Sequence, residues 1–487
     1  MVKYIKIISA CLFIGVGAVG CNDFLDVNPA GTVTQDKMFR DVQGYRDAMY
    51  GIYANLATTN LYGKNLTYGF ADQLAQLFTP LRITESEDLT SYKVLQYDYT
   101  YPEIENMINS IWGDMYKVIS YVNNVLENIQ YADMDSHPDY RLINGEAHAL
   151  RAFMHFDLMR YFCEHIALSP NAGGIPYAYT FDLKNKELFT LKECYENVLE
   201  DLTIAQHLLV NDTSQVATEY RGTTYNFVTL PAVYAMKARV FHYEGQLDSA
   251  GIYAEKVMQF SNYHLVTSPT EIPDIEKYPG GSEMIWGLGT TKLYDVLFDE
   301  FQADPTTNLD LLHPREDVED IYKDVNWDAQ NHDYRFDNFF EKEDRGWVFN
   351  RLLKVDRESP DDIEEQKKNT KGICMLRLPE MYYIAAEAAY AQGQKEKASE
   401  YLEAVRSSRG LTKTLPEDRT NTLEKFNLEL QKERRKEFWG EGQTFLDYKR
   451  TNATFYDVSN KNTITLTSKI AVLPWPRNEQ EFGATNK

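Results

Sequence analysis

The chain has 487 residues, 43% hydrophobic and 25% charged, which is enough to bury a large core, and it carries a formal charge of −23. A negative surface of that size works against nucleic acid and against acidic membrane surfaces as partners. Five cysteines without CxxC spacing indicate neither a zinc site nor a disulfide framework; one bridge among Cys163, Cys194 and Cys374 stays open.

The first residues, MVKYIKIISACLFIGVGAVGC, set Lys3 and Lys6 before an apolar run from Ile7 to Val19. The run is too short and too early for a spanning helix with a stop-transfer flank. It ends in Ala18-Val19-Gly20-Cys21, the small residues before a cysteine that a lipoprotein signal peptidase needs. The thiol is the only side chain there able to take a diacylglyceryl thioether. Residues 1–20 therefore read as a lipoprotein signal peptide and Cys21 as the lipid-bearing first residue of the mature chain. A plain secretory leader cut near Cys21 is the alternative.

Residues 22–35 are polar, contain Pro29 and Gly31, and read as a tether. From Asp36 to Leu56, Phe39, Val42, Tyr45, Met49, Ile52, Tyr53 and Leu56 recur at helical spacing. Glu103 to Ile129 predicts a long helix with one apolar stripe through Ile104, Ile108, Ile111, Met115, Val118, Val122 and Ile129. Further helices are predicted over Tyr140–Cys163 and Leu191–Leu209.

Two segments then repeat a pattern. Tyr234, Ala238, Gly245, Ala250 and Val257 share one offset with Tyr382, Ala386, Gly393, Ala398 and Val405. Aromatic, small, turn glycine, small, apolar is the spacing of tetratricopeptide helical hairpins, units that must stack to bury their faces. Between them, from about 262 to 374, the helical period fades and Pro269, Pro273, Pro279, Pro305, Pro314 and Pro360 punctuate the chain. This predicts a loop-rich excursion from the scaffold, with a short strand at Glu283–Leu288 and Trp286 in the core. After the second repeat a helix runs from Asn421 to Phe438, with Asn421 and Glu424 as a capping pair and Gly440 and Gly442 as its end. The Pro-rich tail AVLPWPRNEQEFG reads as an extended strap.

Phosphate-binding, dinucleotide-binding, serine-hydrolase and HExxH motifs do not occur. Asp324-Val-Asn326-Trp-Asp328 opens like a calcium loop, but Ala329 and Arg335 stand where the glycine and closing carboxylate belong, so a solvated acidic loop is the better account. His148, His155 and His165 lack the spacing of a metal pair. Among 73 acidic residues a carboxylate pair is expected by chance, so paired acids carry no weight for hydrolysis. No catalytic residue, metal or cofactor is predicted. Aromatic residues in segments read as loops suit stacking on sugar faces, with polar neighbours reading the hydroxyls; burial as core is the alternative for each. The candidate ligand-binding set is Tyr62, Asp72, Tyr97, Trp327, Tyr334 and Trp347, with Tyr99 and Tyr101 in the same Tyr-rich stretch as Tyr97.

Several stretches carry a family resemblance. Cys21-Asn-Asp-Phe-Leu-Asp26 follows the leader, and Phe39, Gly51 and Tyr53 mark the first helix. Glu146-Ala147, Leu150-Arg151-Ala152-Phe153 and Asp157-Leu158 mark the second long helix, and Arg377-Leu-Pro-Glu380 through Glu387-Ala388 the second repeat. The most specific piece is KERRKEFWGEGQTFLDYKR, with Glu433, Arg434, Arg435, Glu437, Glu441, Gly442, Asp447 and Arg450, followed by Leu473-Pro474-Trp475-Pro476. From Cys21 to its C-terminus the chain resembles the SusD/RagB family of outer-membrane nutrient-binding lipoproteins of Bacteroidetes-type bacteria, departing at Gly440, usually aromatic, and Thr444, usually Arg.

The resemblance implies a mainly α fold: a tetratricopeptide-like helical-hairpin scaffold, at about 36–261 and 375–450, with the loop-rich excursion, minor β structure and a strap at 451–487, all within a single SusD-like domain at 21–487. It implies a non-enzymatic protein, anchored to the outer membrane through lipid on Cys21, that captures oligosaccharides and delivers them to a SusC-like TonB-dependent transporter. A peptide ligand, as in the RagB branch, is the alternative; a surface glycosidase is a third reading from another class. The Arg/Glu set at 433–450 reads as a structural ion network, because guanidinium forks tie a helix to the following turn.

Overall fold

A computed structural model describes residues 35–81, 88–182, 184, 187–211, 220–222, 226–268, 270–271, 281–306, 308–324, 327–328, 330–353, 367, 370 and 372–483. The leader, Cys21 and the tether from 22 to 34 lie outside the described residues.

Asp41 caps helix Val42–Leu56 (α1) by accepting from Gly44 N at 3.2 Å, and the helix buries Tyr45, Met49, Ile52, Tyr53 and Leu56 on one face. Helix Phe70–Leu74 (α2) and strand Phe78–Pro80 (β1) follow. Pro102–Ile129 (α3) starts on a proline and buries the whole predicted stripe. Pro138–Phe162 (α4) packs against α3, and a short hairpin, Gly173–Pro176 (β2) with Leu188–Thr190 (β3), leads into Leu191–Leu209 (α5). Helix α5 opens with a capping box: Thr190 Oγ1 accepts from Glu193 N at 3.2 Å, and Glu193 Oε2 accepts from Thr190 N at 2.8 Å. Helix α4 is buried on nearly every side, so its polar groups are paired: Glu146 with Arg221 at 2.6 Å, Arg151 with Asp201 at 2.7 Å. His148 lies 2.7 Å from Asp201, and His155 and His165 bond to the backbone at Ala178 and Tyr243.

The repeated segments form two helical hairpins. Leu230–Glu244 (α6) turns at Gly245 into Leu247–Met258 (α7), and φ is +88° at that glycine. In the excursion come Met284–Gly289 (β4), Leu293–Phe301 (α8), Leu312–Pro314 (β5), Tyr334–Phe339 (α9), the hairpin Phe340–Glu343 (β6) with Gly346–Phe349 (β7), and Gly372–Arg377 (β8). Leu378–Ala391 (α10) then turns at Gly393, φ +78°, into Lys395–Ser408 (α11). Equivalent residues of the two hairpins play equivalent parts: Ala238, Ala386, Ala250, Ala398, Val257 and Val405 are all buried, while Tyr234 and Tyr382 stay half-buried. Helix α7 packs on α10 so closely that a Cβ on Gly251 would come within 2.8 Å of Ala388 Cβ.

Strands β4 and β8 pair antiparallel where the excursion leaves and rejoins the scaffold, with Trp286 fully buried edge-on to Phe153. Strand β1 pairs with β5 across more than two hundred residues of chain, Phe78 opposite Pro314 and Thr79 opposite His313. Leu423–Glu437 (α12) and Thr444–Thr451 (α13) complete the scaffold. The cap of α12 is Thr422, accepting from Lys425 N at 3.3 Å, and not Asn421: the reciprocal hydrogen bond needs the acceptor immediately before the first turn.

Two further expectations are corrected. The tail is not simply a strap: Thr454–Asp457 (β9) and Asn462–Thr465 (β10) form a hairpin, and short helices follow at Ser468–Ala471 and Arg477–Phe482. Alternating Phe455 and Ile464 fold inward, and the Asp457 carboxylate closes the turn by accepting from Ser459 N and Asn460 N. Among the described residues of the tail, Leu473–Pro476 lies outside these elements, with Leu473 N donating to Tyr161 O at 2.9 Å. Asp324 is not solvated; it is buried against Arg406 at 2.6 Å, because a carboxylate among arginines is better paired than hydrated.

That pair belongs to a buried ion network. Arg335 reaches Asp333, Glu433 and Glu437 at 2.6, 2.7 and 3.0 Å. Arg377 and Arg409 reach Glu437 at 2.7 and 2.9 Å, Arg409 also reaches Glu283 at 2.8 Å, and Arg351 pairs with Glu441. With Lys436 beside Glu433 at 3.2 Å and Arg406, the centre of the network among the described residues sets six cations against Glu283, Asp324, Asp333, Glu433, Glu437 and Glu441, and Arg406 and Asp324 extend it to Glu403 and Arg419 at 3.1 and 3.4 Å. The excursion contributes one part and α10–α12 the other, so the network bolts the two together, as expected for the Arg/Glu set. Cys163 and Cys194 are buried and free of disulfides, so no bridge joins them to each other or to Cys374. No described helix is long and apolar enough to cross a membrane.

Candidate functional site: an aromatic cleft between two hairpins

Four chain segments meet around an open cleft of about 450 Å³. The β1–β5 ladder forms one wall through Thr79, Pro80, His313 and Pro314. The β6–β7 turn brings Arg345, Gly346 and Trp347, and the β9–β10 hairpin brings Tyr456, Val458, Ser459 and Lys461. Gly346, at φ +112°, lets the β6–β7 turn close so that Trp347 stands at the rim. The two hairpins are held to the ladder by polar bonds: His313 Nδ1 lies 3.2 Å from Trp347 O, and Val458 N donates to the Gln76 side chain at 3.2 Å.

Tyr456 keeps 40% of its surface exposed, and Trp347 is half-buried. Each ring has a cation over a face: Arg315 lies 5.1 Å from the Tyr456 ring centre and Lys342 lies 5.3 Å from that of Trp347. Arg315 is itself fixed by two bonds to Asp317, the longer at 2.9 Å, and Arg345 by Glu343 at 2.9 Å. Burial tends to raise the Asp317 pKa, but the Arg315 guanidinium outweighs it and holds the carboxyl below its ordinary value. Burial pushes the His313 pKa down to about 4, so the ring is neutral at physiological pH. Glu316 and Lys461 also line the cleft and have no ion partner among the described residues. The cleft thus presents two flat rings, one free carboxylate, one free ammonium and several uncharged polar atoms.

The structure sorts the expected ligand residues. Trp347 is in the cleft. Trp327 and Tyr334 are half-buried outside its lining and edge onto His332, with ring centres 6.2 and 5.1 Å apart. Tyr62, Asp72 and Tyr97 are corrected: all three are core residues. Tyr62 Oη donates to Asp157 at 2.6 Å, and Tyr97 Oη donates to Leu74 O at 2.9 Å. Asp72 is fully buried and accepts from Gly440 N at 2.6 Å and Gly442 N at 3.1 Å. These groups are satisfied internally, so they have neither an exposed face nor a spare bond for a ligand. Tyr99 is likewise buried, with its hydroxyl on Ile470 O. Tyr456 and Lys461 were missed because they lie in the tail, more than a hundred residues beyond Trp347; the alternating Thr454-Phe-Tyr-Asp with its polar turn was the available signal. Among the described residues no group of three His, Cys, Asp or Glu side chains is placed to hold a metal.

Comparison with known proteins agrees with this architecture. Residues 23–241 match the SusD-like family model described as "Starch-binding associating with outer membrane", and residues 340–479 match that of the SusD family. Together the two models span both halves of the scaffold, and the chain belongs to the SusD/RagB family. Two relatives from Formosa agariphila are "SusD-like protein P38", 23% identical over 91% of each chain, and "SusD-like protein P25", 22% identical over 62% of this chain and 53% of that one. A SusD superfamily protein from Bacteroides thetaiotaomicron superposes with a TM-score of 0.71 at 25% identity, covering 93% of this chain and 98% of its own. A SusD-like carbohydrate binding protein from Bacteroides vulgatus does so at 0.69 and 20%, covering 90% and 96%.

Proposed function

We propose that this protein is a nutrient-binding lipoprotein of the outer membrane that captures an oligosaccharide in the cleft at Trp347 and Tyr456 and delivers it to a SusC-like TonB-dependent transporter, anchored by lipid on Cys21. The observation that carries the ligand assignment is the cleft itself: two accessible rings on separate hairpins, each steadied by a cation, beside polar groups left free to bond. Sugar rings offer apolar faces to stack on and hydroxyls to pair, and an open, wet site of this kind gives modest affinity. Binding rather than turnover fits the acids present. Asp317 is held ionised by Arg315 and cannot act as a proton donor at neutral pH, which leaves Glu316 alone.

Calorimetric titration with a panel of neutral oligosaccharides tests this. Trp347→Ala and Tyr456→Ala are each expected to weaken binding about tenfold or more with little change in thermal midpoint. Unchanged affinity in both would remove the cleft from consideration. The unpaired Glu316 and Lys461 favour a second reading, a peptide whose two termini meet opposite charges. It requires Lys461→Ala to abolish binding of short peptides while oligosaccharides fail to compete.

A further inference from the structure

Taking the cleft as the ligand site, the structure also indicates which atoms select what enters it. His313 and Thr79 stand opposite each other on the β1–β5 ladder, and both line the cleft, whereas the adjacent Phe78 and Leu312 are buried in the core. Pro80 and Pro314, opposite Leu312 and Phe78, line it as well, so the cleft touches both faces of the ladder and the His313 imidazole is one of its lining groups. Its Nδ1 lies 3.2 Å from the Trp347 carbonyl, which can only accept, so the proton of the neutral ring sits on Nδ1. Nε2 is left as an acceptor. It is buried in a residue only 5% exposed, and it has no hydrogen-bond partner among the described residues. A second cleft-lining residue, half-buried Ser459 in the β9–β10 turn, carries another such atom: its Oγ is buried and unpartnered among the described residues. A buried polar atom without a partner costs about 1–3 kcal/mol, and among the orphaned side-chain atoms of the described residues these two are the ones that belong to cleft-lining residues, where a ligand can supply the missing bond.

We infer that His313 Nε2 and Ser459 Oγ read the hydroxyls of an uncharged sugar in the cleft, His313 accepting from one hydroxyl and Ser459 donating to a neighbouring sugar oxygen. The pairing is selective. A hydroxyl can donate to Nε2, but a carboxylate or sulfate has no proton to offer and would set its negative charge against a lone pair. Sugars carrying an acid at this position are therefore rejected, because a site built to bond one group strongly disfavours an analogue that leaves its atoms unpaired.

The experiment is calorimetric titration of maltohexaose, cellohexaose, xylohexaose and laminarihexaose as neutral probes, and oligogalacturonate as the acidic one, against the intact chain and against Trp347→Ala, His313→Phe and Ser459→Ala, each with its thermal midpoint. A neutral probe is expected to bind and oligogalacturonate to fail. His313→Phe and Ser459→Ala should each weaken the neutral probe about tenfold, the worth of one hydrogen bond. Loss of binding in Trp347→Ala with full affinity in both of the other variants overturns the inference and leaves the cleft as the site; so does tighter binding of oligogalacturonate than of every neutral probe. Full affinity in Trp347→Ala as well shows that the cleft is not the site, and the inference falls with it. If His313→Phe folds poorly, Ser459→Ala in the hairpin turn decides the matter alone.

Discussion

Asp72 shows what a single carboxylate does in the interior of this protein. It reaches across the fold to the two glycines after α12, and its oxygens accept from Gly440 N and Gly442 N. Both glycines have positive φ, +90° and +69°, so the turn exposes adjacent N–H groups that only a buried acceptor could satisfy. Burial drives the Asp72 pKa well above the ordinary carboxyl value, against the pull of those two N–H groups. The position of Gly440 also explains why an aromatic residue is absent there: a Cβ would stand 2.7 Å from Phe349 Cζ. Asp72→Ala is expected to cost about 3 kcal/mol, seen as a lower urea midpoint, because two N–H groups lose their partner. Ligand affinity should persist; loss of affinity at unchanged stability would return Asp72 to the ligand site. Lys449 plays a similar role at the end of α4, where its ammonium donates to Arg160 O at 2.7 Å and to Cys163 O.

At the scale of elements, the decisive contact is between α12 and the excursion. Glu437 accepts from Arg335, Arg377 and Arg409, residues of three different segments. Taking six cations and six carboxylates out of water is costly, and the cost is offset only while every partner is present. Glu437→Gln keeps the shape and removes the charge. It should destabilise the fold by about 3–5 kcal/mol, measured by chemical denaturation, since it leaves three guanidiniums short of one carboxylate. A change below about 1 kcal/mol would show that the network is not the bolt described above. The helices of the scaffold were legible in the sequence because their signals are local: the stripe of α3 and the turn glycines of the two hairpins each lie within a few turns of chain. The cleft was legible only in Trp347, because its other ring arrives on a distant hairpin.

For the whole molecule, acid lability follows from the paired carboxylates. Burial alone would raise the pKa of Asp201, Glu387, Glu433 and Glu437, but their arginine, lysine and histidine partners more than offset it, and all four lie below their ordinary values. A folded-state pKa below the unfolded one means that the folded form binds fewer protons. Their contribution is complete above about pH 4.5 and is lost as pH falls toward the folded values. Asp72, Glu146, Glu244, Asp310, Asp337 and Glu403, raised by burial, act with the opposite sign, but Glu255, Asp317, Asp324, Asp328 and Glu380 are lowered as well, so the raised groups are outnumbered. The thermal midpoint should therefore hold from pH 7 to 5 and drop steeply below pH 4. A midpoint that stays level to pH 3 would contradict the assignment of these four groups. Cys21→Ala should move the protein from the membrane to the soluble fraction, as judged by fractionation; undiminished membrane retention would count against lipid attachment.

The amino-acid order by itself determined the helical scaffold, its paired hairpins, the neck strand with Trp286 and the structural character of the arginine and glutamate residues near the end. Those features depend on spacing and on neighbours close in sequence. Only the tertiary structure decided which aromatic residues are core and which face solvent. Tyr62 and Tyr97 are chemically the same as Tyr456, and what separates them is the chain packed over them, which comes from Asp157 and Leu74 for the first two and leaves one face open for the third. Burial is a property of the assembled molecule, so the location of the cleft appeared only when four distant segments came together.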